Sequence, residues 1–252
     1  MDNNFLQPPS MSINLPHDVL LLPTKGIFYK SKKKSIKVGY LTANDENFLI
    51  NAASNGNSNV VLQLLRTKIY EPDLKPEELI DSDVEAILIF LRNTSFGPEY
   101  NLQLTDPKTG KQFTETIVLD ELSFKKVSVE PDTDGTFTTK LPKSESTVKL
   151  KPLTYADQLD LDKMAESYPT NLTPPRITWR LNKQIVEVDG NNDRGFIAKF
   201  VDTLPIADSK YVRKFLKDNI PSLDLSKTTT APSGESVKFE ITFGVEFFRP
   251  FF

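Results

Sequence analysis

The sequence predicts an α+β fold: short antiparallel sheets and hairpins packed with amphipathic helices, with a candidate duplication of one α/β unit. Three observations lead there. Apolar residues recur at helical spacing, as in Val60, Val61, Leu64 and Leu65. Alternating runs flank turn-forming segments such as Asp106-Pro107-Lys108-Thr109-Gly110. A set of short motifs also occurs twice in the same order. Leu41-Thr42-x-x-Asp45 returns as Leu153-Thr154-x-x-Asp157, and Leu65-x-x-x-Ile69-x-Glu71-x-Asp73 returns as Leu181-x-x-x-Ile185-x-Glu187-x-Asp189. Ile80-Asp81 and Ile206-Ala207-Asp208 each open a helix. Leu102-Gln103-Leu104 and Leu223-Asp224-Leu225 each lead into a polar turn and an alternating strand. Motifs this short also recur by chance; the kept order favours a repeated unit.

Residues 1–22 read as an extended N-terminal arm. Pro8, Pro9 and Pro16 oppose helix, and the arm ends in the apolar run Val19-Leu20-Leu21-Leu22. It is either a loose tail or an arm that orders on a neighbouring subunit. A first α/β unit is expected over 23–125. It opens with the turn Pro23-Thr24-Lys25-Gly26. Strands over 27–29 and 36–41 then form a hairpin whose tip holds Lys30, Lys32, Lys33 and Lys34. Thr42 with Asp45 has capping-box spacing, with Asp in place of Glu, and starts a helix over 43–53. Asn55-Gly56-Asn57 breaks it, and a second helix runs from Val60 to Ile69. Pro72 and Pro76 bracket a loop. Asp81 or Ser82 is expected to cap a third helix, which Gly97-Pro98 ends. Strands over 100–104 and 113–119 flank the Asp106–Gly110 turn.

Residues 126–146 are weakly patterned and read as a linker or insertion, with one strand over 136–141. The second unit is expected over 147–252. It has a strand over 148–150 and a Thr154-capped helix to Ser167. Helices follow over 176–185, 194–201 and, capped by Asp208, 208–217. The alternating run Val237-x-Phe239-x-Ile241-x-Phe243-x-Val245 is a half-buried strand, and a Phe-rich tail ends the chain.

Composition narrows the function. The chain has 252 residues with 38% hydrophobic and 26% charged residues, as in an ordinary globular protein long enough to bury a core. A net charge of −3 argues against wholesale nucleic-acid binding. There is no cysteine, which removes disulfides, thiolate nucleophiles and cysteine zinc sites. The one histidine, His17, leaves no His-based metal centre or charge-relay triad in the main body. Met1-Asp2-Asn3-Asn4 lacks the basic and apolar regions of a signal peptide, and no run of about 20 apolar residues spans a membrane. Synthesis in a reducing cytoplasm is expected.

No constellation of reactive residues stands out, so no catalytic residue, metal or cofactor is assigned. Asp132-x-Asp134-Gly135 begins like a calcium loop, but Lys143 stands where the bidentate Glu belongs, which favours a plain Asp/Gly turn. No Gly-x-x-x-x-Gly-Lys phosphate loop and no Gly-x-Ser-x-Gly elbow occur. Trp179, on an amphipathic helix, fits core better than a ligand platform. Three segments remain as candidate partner contacts. Val19, Leu20, Leu21 and Leu22 form the apolar end of the arm. Lys30, Lys32, Lys33 and Lys34 are either a solvated turn that protects a sheet edge or a site for an acidic neighbour. Phe247, Phe248, Phe251 and Phe252 close the chain, and leaving them in water would cost about 1.5–3 kcal/mol each. They either fold back on the chain or anchor in a partner. If they anchor, removing 247–252 leaves a folded monomer that cannot assemble.

Several ordered motifs then resemble a known family. Leu22-Pro23-Thr24-Lys25-Gly26-Ile27-Phe28-Tyr29 resembles the Leu-Pro-Ser-Lys-Gly-x-x-Tyr opening of baseplate proteins of T-even-type contractile-tail bacteriophages. Val38-x-Tyr40-Leu41-Thr42-x-x-Asp45-Glu46, Leu64-Leu65-Arg66 and Leu91-Arg92-x-x-Ser95-Phe96-Gly97 resemble later segments of it. The match covers about 20–125; 208–216 and 247–250 also look familial. The resemblance implies a baseplate hub or hub-assembly protein, with no catalytic residues to carry over. Some relatives pair cysteines near 106–110 in a way that could hold zinc; this chain has none there.

The expected function is therefore a structural component of a contractile-tail baseplate at the hub or wedge region, not an enzyme. Its partners would be other baseplate, hub or tail-tube proteins, with no small-molecule substrate and no cofactor. Its location would be the virion. The alternative is a transient hub-assembly chaperone absent from the finished particle.

Overall fold

Two helices begin where a threonine and an aspartate cap each other. In a computed structural model, which describes residues 16–55, 60–243 and 245–248, α1 (Ala43–Asn55) follows Thr42 and α4 (Tyr155–Glu166) follows Thr154. In each, the threonine hydroxyl accepts the aspartate N–H, and the aspartate carboxylate accepts the threonine N–H (Asp45, 2.7 Å; Asp157, 3.1 Å). Two otherwise unpaired N-terminal amides are satisfied at each start.

The first half runs β1 (His17–Leu21), β2 (Ser35–Gly39), α1, α2 (Val60–Lys68), α3 (Asp81–Phe96), β3 (Glu99–Thr105) and β4 (Gln112–Val118). The second runs β5 (Phe137–Lys140), β6 (Thr147–Leu150), α4, α5 (Arg176–Gln184), β7 (Ile185–Val188), α6 (Arg194–Asp202), α7 (Ile206–Asn219), β8 (Ser226–Thr230) and β9 (Ser236–Glu240). Among the described residues all pairings are antiparallel: β1-β2, β3-β4, β5-β6-β7 and β8-β9. The fold is α+β.

The halves match in register as well as order. Leu22 donates its N–H to the Lys34 carbonyl and Leu141 to that of Ser146, both at 2.9 Å. After α2, Ile69 bridges to Val38; after α5, Ile185 pairs with Leu150. Glu71 accepts the Lys37 N–H, and Glu187 lies opposite Lys149. Each half ends in a hairpin around a Pro-containing turn, closed by Gly110 N–H to Asp106 O and by Gly234 N–H to Ala231 O.

Among the described residues, two clusters of buried side chains form the core. One joins the first half to Leu225, Ile241, Phe247 and Phe248. The buried residues of the other all fall in the second half, from Phe137 to Leu216, with Phe28 of the first half packed against them. The halves also meet directly. Ile80 bridges to Thr154, the Tyr155 N–H donates to Leu79 O at 2.6 Å, and Ser233 caps the Asp106 carboxylate of the other hairpin turn.

Several sequence expectations change. Residues 27–29 are not a strand but part of a turn-rich loop. The partner of β2 is β1, from the segment read as an arm, because Leu20 and Leu22 supply the inward face. Neither Asp81 nor Ser82 caps α3: Ile80 is the N-cap, with no side-chain bond. Asp208 does not cap α7 either; Pro205 holds that position and Asp208 is spent on a distant loop. The final strand stops at Glu240, and β7 and β8 were not foreseen as strands.

Candidate functional site

The loop from Leu22 to Lys34 is set from beneath by one carboxylate. Asp83, fully buried in the first turn of α3, accepts the Thr24 N–H at 3.1 Å, the Thr24 hydroxyl at 2.5 Å and the Tyr29 phenol. Burial pushes the Asp83 carboxyl upward against these donors, and burial together with the Asp83 charge raises the Tyr29 phenol. The Tyr29 oxygen in turn accepts the Ile80 N–H, so the loop is stapled to the start of α3. The second half does the same with fewer parts. Asp208, also fully buried, accepts the N–H groups of Lys143 and Ser144, both at 2.8 Å, just after Leu141-Pro142. Asp83 and Asp208 are therefore counterparts, a pairing that helix position and Leu-Pro spacing could have revealed. Gly26 completes the first loop. Its φ is +71°, and a Cβ there would run into the Lys33 carbonyl.

This support holds β1 at a sheet edge. Leu22 bonds to Lys34, and Pro16 accepts from Tyr40, so the even residues of β1 face β2. The amides of Val19 and Leu21 therefore point to the open side, where no described strand pairs with them. Their side chains are 65% and 52% exposed, whereas Leu20 packs against the core and Leu22 is buried.

A groove of about 580 Å³ begins where β1 ends. Leu21, Leu22, Pro23, Phe124, Val127 and Pro221 make it mostly apolar, and Phe124 is 56% exposed. Lys25, Lys32, Lys34 and Lys125 also line it, against a single acid, Glu130.

The basic run is therefore not one tip. Lys32 donates to the carbonyls of Ile27 (2.6 Å) and Thr133 (3.1 Å). Lys33 is paired with Glu71 and, at 2.6 Å, with Asp73; both carboxylates sit low, that of Glu71 despite its burial. Lys30 and Lys34 are exposed.

Phe247 and Phe248 fold into the chain's own first core, at 1% and 6% exposure. Phe247 packs edge-on against Tyr100 at 5.1 Å, and the buried Arg92 guanidinium lies 4.9 Å from the Tyr100 ring and 5.7 Å from that of Phe247. A partner contact through these two rings would require them to leave that core. Phe251 and Phe252 lie outside the described residues. Trp179 is half-buried, edge-on to Tyr168 at 5.6 Å.

A second, charged cavity of about 500 Å³ lies at the seam of the halves, lined by Asp81, Glu85, Arg180, Arg213 and Glu240 among others. Burial, then the Asp81 and Glu240 charges, push the Glu85 carboxyl up to about 7 against Lys125. Among the described residues no cluster of His, Cys, Asp or Glu is arranged to hold a metal ion, and no helix is long and apolar enough to cross a membrane.

No curated protein and no solved structure matches the chain. A family model described as T4 bacteriophage base plate protein matches residues 24–249, from the Thr24 loop through both carboxylate staples, Asp83 and Asp208, to the Phe247-Phe248 turn. With nearly the whole chain covered, the protein belongs to the T4 bacteriophage base plate protein family.

Proposed function

We propose that this chain is a permanent structural part of a contractile-tail baseplate, at the hub or wedge region, and that it works by binding neighbouring tail proteins. One α/β unit used twice supplies the rigid frame. The observation that carries the reading is the β1 edge: an apolar, outward-facing strand held firmly from below, in a member of a baseplate family. The buried Asp83–Tyr29–Thr24 network beneath that edge holds the frame.

The test is the copy number of the chain in purified virions by quantitative mass spectrometry. About three or six copies per tail fits a fixed place in a symmetric baseplate. A chain expressed in infection but missing from virions would be an assembly chaperone that binds hub proteins and leaves, and the permanent role would fall.

A further inference from the structure

We propose that the open edge of β1 and the lysine-rimmed groove beside it receive an extended, acidic and apolar segment of another protein, which adds to β1 as a third strand. The inference rests on the binding role above and names the chemistry of the partner.

The two halves provide an internal comparison. By register, Val19 corresponds to Thr138 and Leu21 to Lys140, since Leu22 and Leu141 make the same bond to the neighbouring strand. All four residues sit on an outer edge with amides pointing away from the paired strand. The second half fills these positions with exposed polar side chains, as edge strands commonly do to avoid unwanted pairing. The first half fills them with Val and Leu at 65% and 52% exposure. The fold does not need apolar residues there, because its other half is built without them. An apolar edge kept in water is explained by a partner that covers it.

Charge identifies that partner. Lys25 and Lys34 at the groove have no acidic partner among the described ion pairs, and Lys125 adds a third cation. A strand adding to β1 offers its backbone to the Val19 and Leu21 amides. Its side chains alternate, so one row meets Val19, Leu21 and Phe124 while acidic groups reach the lysine rim. A basic segment would be repelled.

The experiment uses the full chain and two synthetic peptides, one alternating valine with glutamate and one alternating valine with lysine, followed by fluorescence anisotropy. Binding of the glutamate peptide, weakened by added salt, with about tenfold or weaker affinity for the lysine peptide, is the expected result. Val19→Thr with Leu21→Lys copies the second half's edge, so the variant should melt like the parent yet lose about tenfold in binding. Val19→Pro removes an outward N–H without touching the β1-β2 ladder, and should act alike. Failure of the parent to bind the glutamate peptide, equal binding of both peptides, or full binding by the Thr/Lys variant would each overturn the inference. Virion copy number is independent of this assay: a chain present in tails but blind to the glutamate peptide keeps its structural role and loses only this docking mode.

Discussion

Asp83 is a fully buried carboxylate held by three donors, and its removal leaves each of them unpaired in the core. Asp83→Ala is predicted to cost about 3 kcal/mol or more, since hydrogen bonds to a charged group contribute about 1.5–3 kcal/mol each and the orphaned partners add their own desolvation. Tyr29→Phe loses one such bond and unpairs the Ile80 N–H, so a loss of about 1.5–3 kcal/mol is expected. Denaturant midpoints measure both; a neutral Asp83→Ala would refute the staple. Glu85 works in the opposite sense. Its folded carboxyl titrates at about 7 rather than at the ordinary 4.5, because burial and its neighbours Asp81 and Glu240 disfavour the charge more than Lys125 favours it. The native state thus holds this proton more tightly than the unfolded chain. Its contribution is intact below the unfolded value and is lost as pH rises through about 7. Glu85→Gln is predicted to raise the melting temperature at about pH 8 and to change it little at about pH 4. The same shift at both pH values would mean that the seam does not press on this carboxylate.

Helix starts show what each element draws from its sequence. In α1 the capping Asp45 also pairs with Lys68 of α2 at 2.5 Å, both side chains at least nine-tenths buried. Burial alone would raise the Asp45 carboxyl, but Lys68 and Thr42 outweigh it and hold it low. That stabilisation is therefore present above the ordinary carboxylate range and is lost only as pH falls through the lowered value. Thr42→Ala should cost about 1 kcal/mol, the worth of a cap. Asp45→Ala should cost about 3 kcal/mol or more, because it strands the Lys68 ammonium. Equal losses in chemical denaturation would show that the ion pair contributes nothing. Capping boxes were legible because their partners sit three residues apart, and the hairpin turn at Asp106–Gly110 was legible for the same local reason. What failed was long-range. Asp208 looks like a cap by spacing, yet the amides it satisfies are more than 60 residues away. The pairing of β1 with β2 escaped because Pro16 marks an irregular segment and Ile27–Tyr29 has strand-like residues, while the Asp83 staple that bends them into turns has no local signature. The apolar run 19–22 was visible as a candidate contact. That only its odd members face outward depends on register, which the sequence alone does not fix.

At the scale of the whole molecule, the two halves are alike in pattern and unequal in independence. All the buried residues of the second core fall between Phe137 and Leu216. The first core borrows Leu225, Ile241, Phe247 and Phe248 from the end of the chain. A fragment spanning 132–222 keeps its β-sheet, its Asp208 staple and every buried residue of its core, losing the partly buried Phe28 that packs on Phe137, so it is predicted to unfold cooperatively. A fragment spanning 16–125 keeps its staple and caps but loses two aromatic rings and two aliphatic side chains from its centre. Truncating a buried phenylalanine to alanine alone costs about 3–5 kcal/mol, comparable to much of the stability of a small domain. That fragment should therefore bind a hydrophobic dye and melt without cooperativity, and Phe247→Ala in the full chain should approach the same state. Mixing it with a fragment spanning 126–252 should restore the cooperative transition, because the missing side chains return with the β8-β9 hairpin and the turn after it. A cooperative 16–125 fragment would mean that the tail only decorates a finished core, and Phe247 and Phe248 would again be free to leave it for a partner.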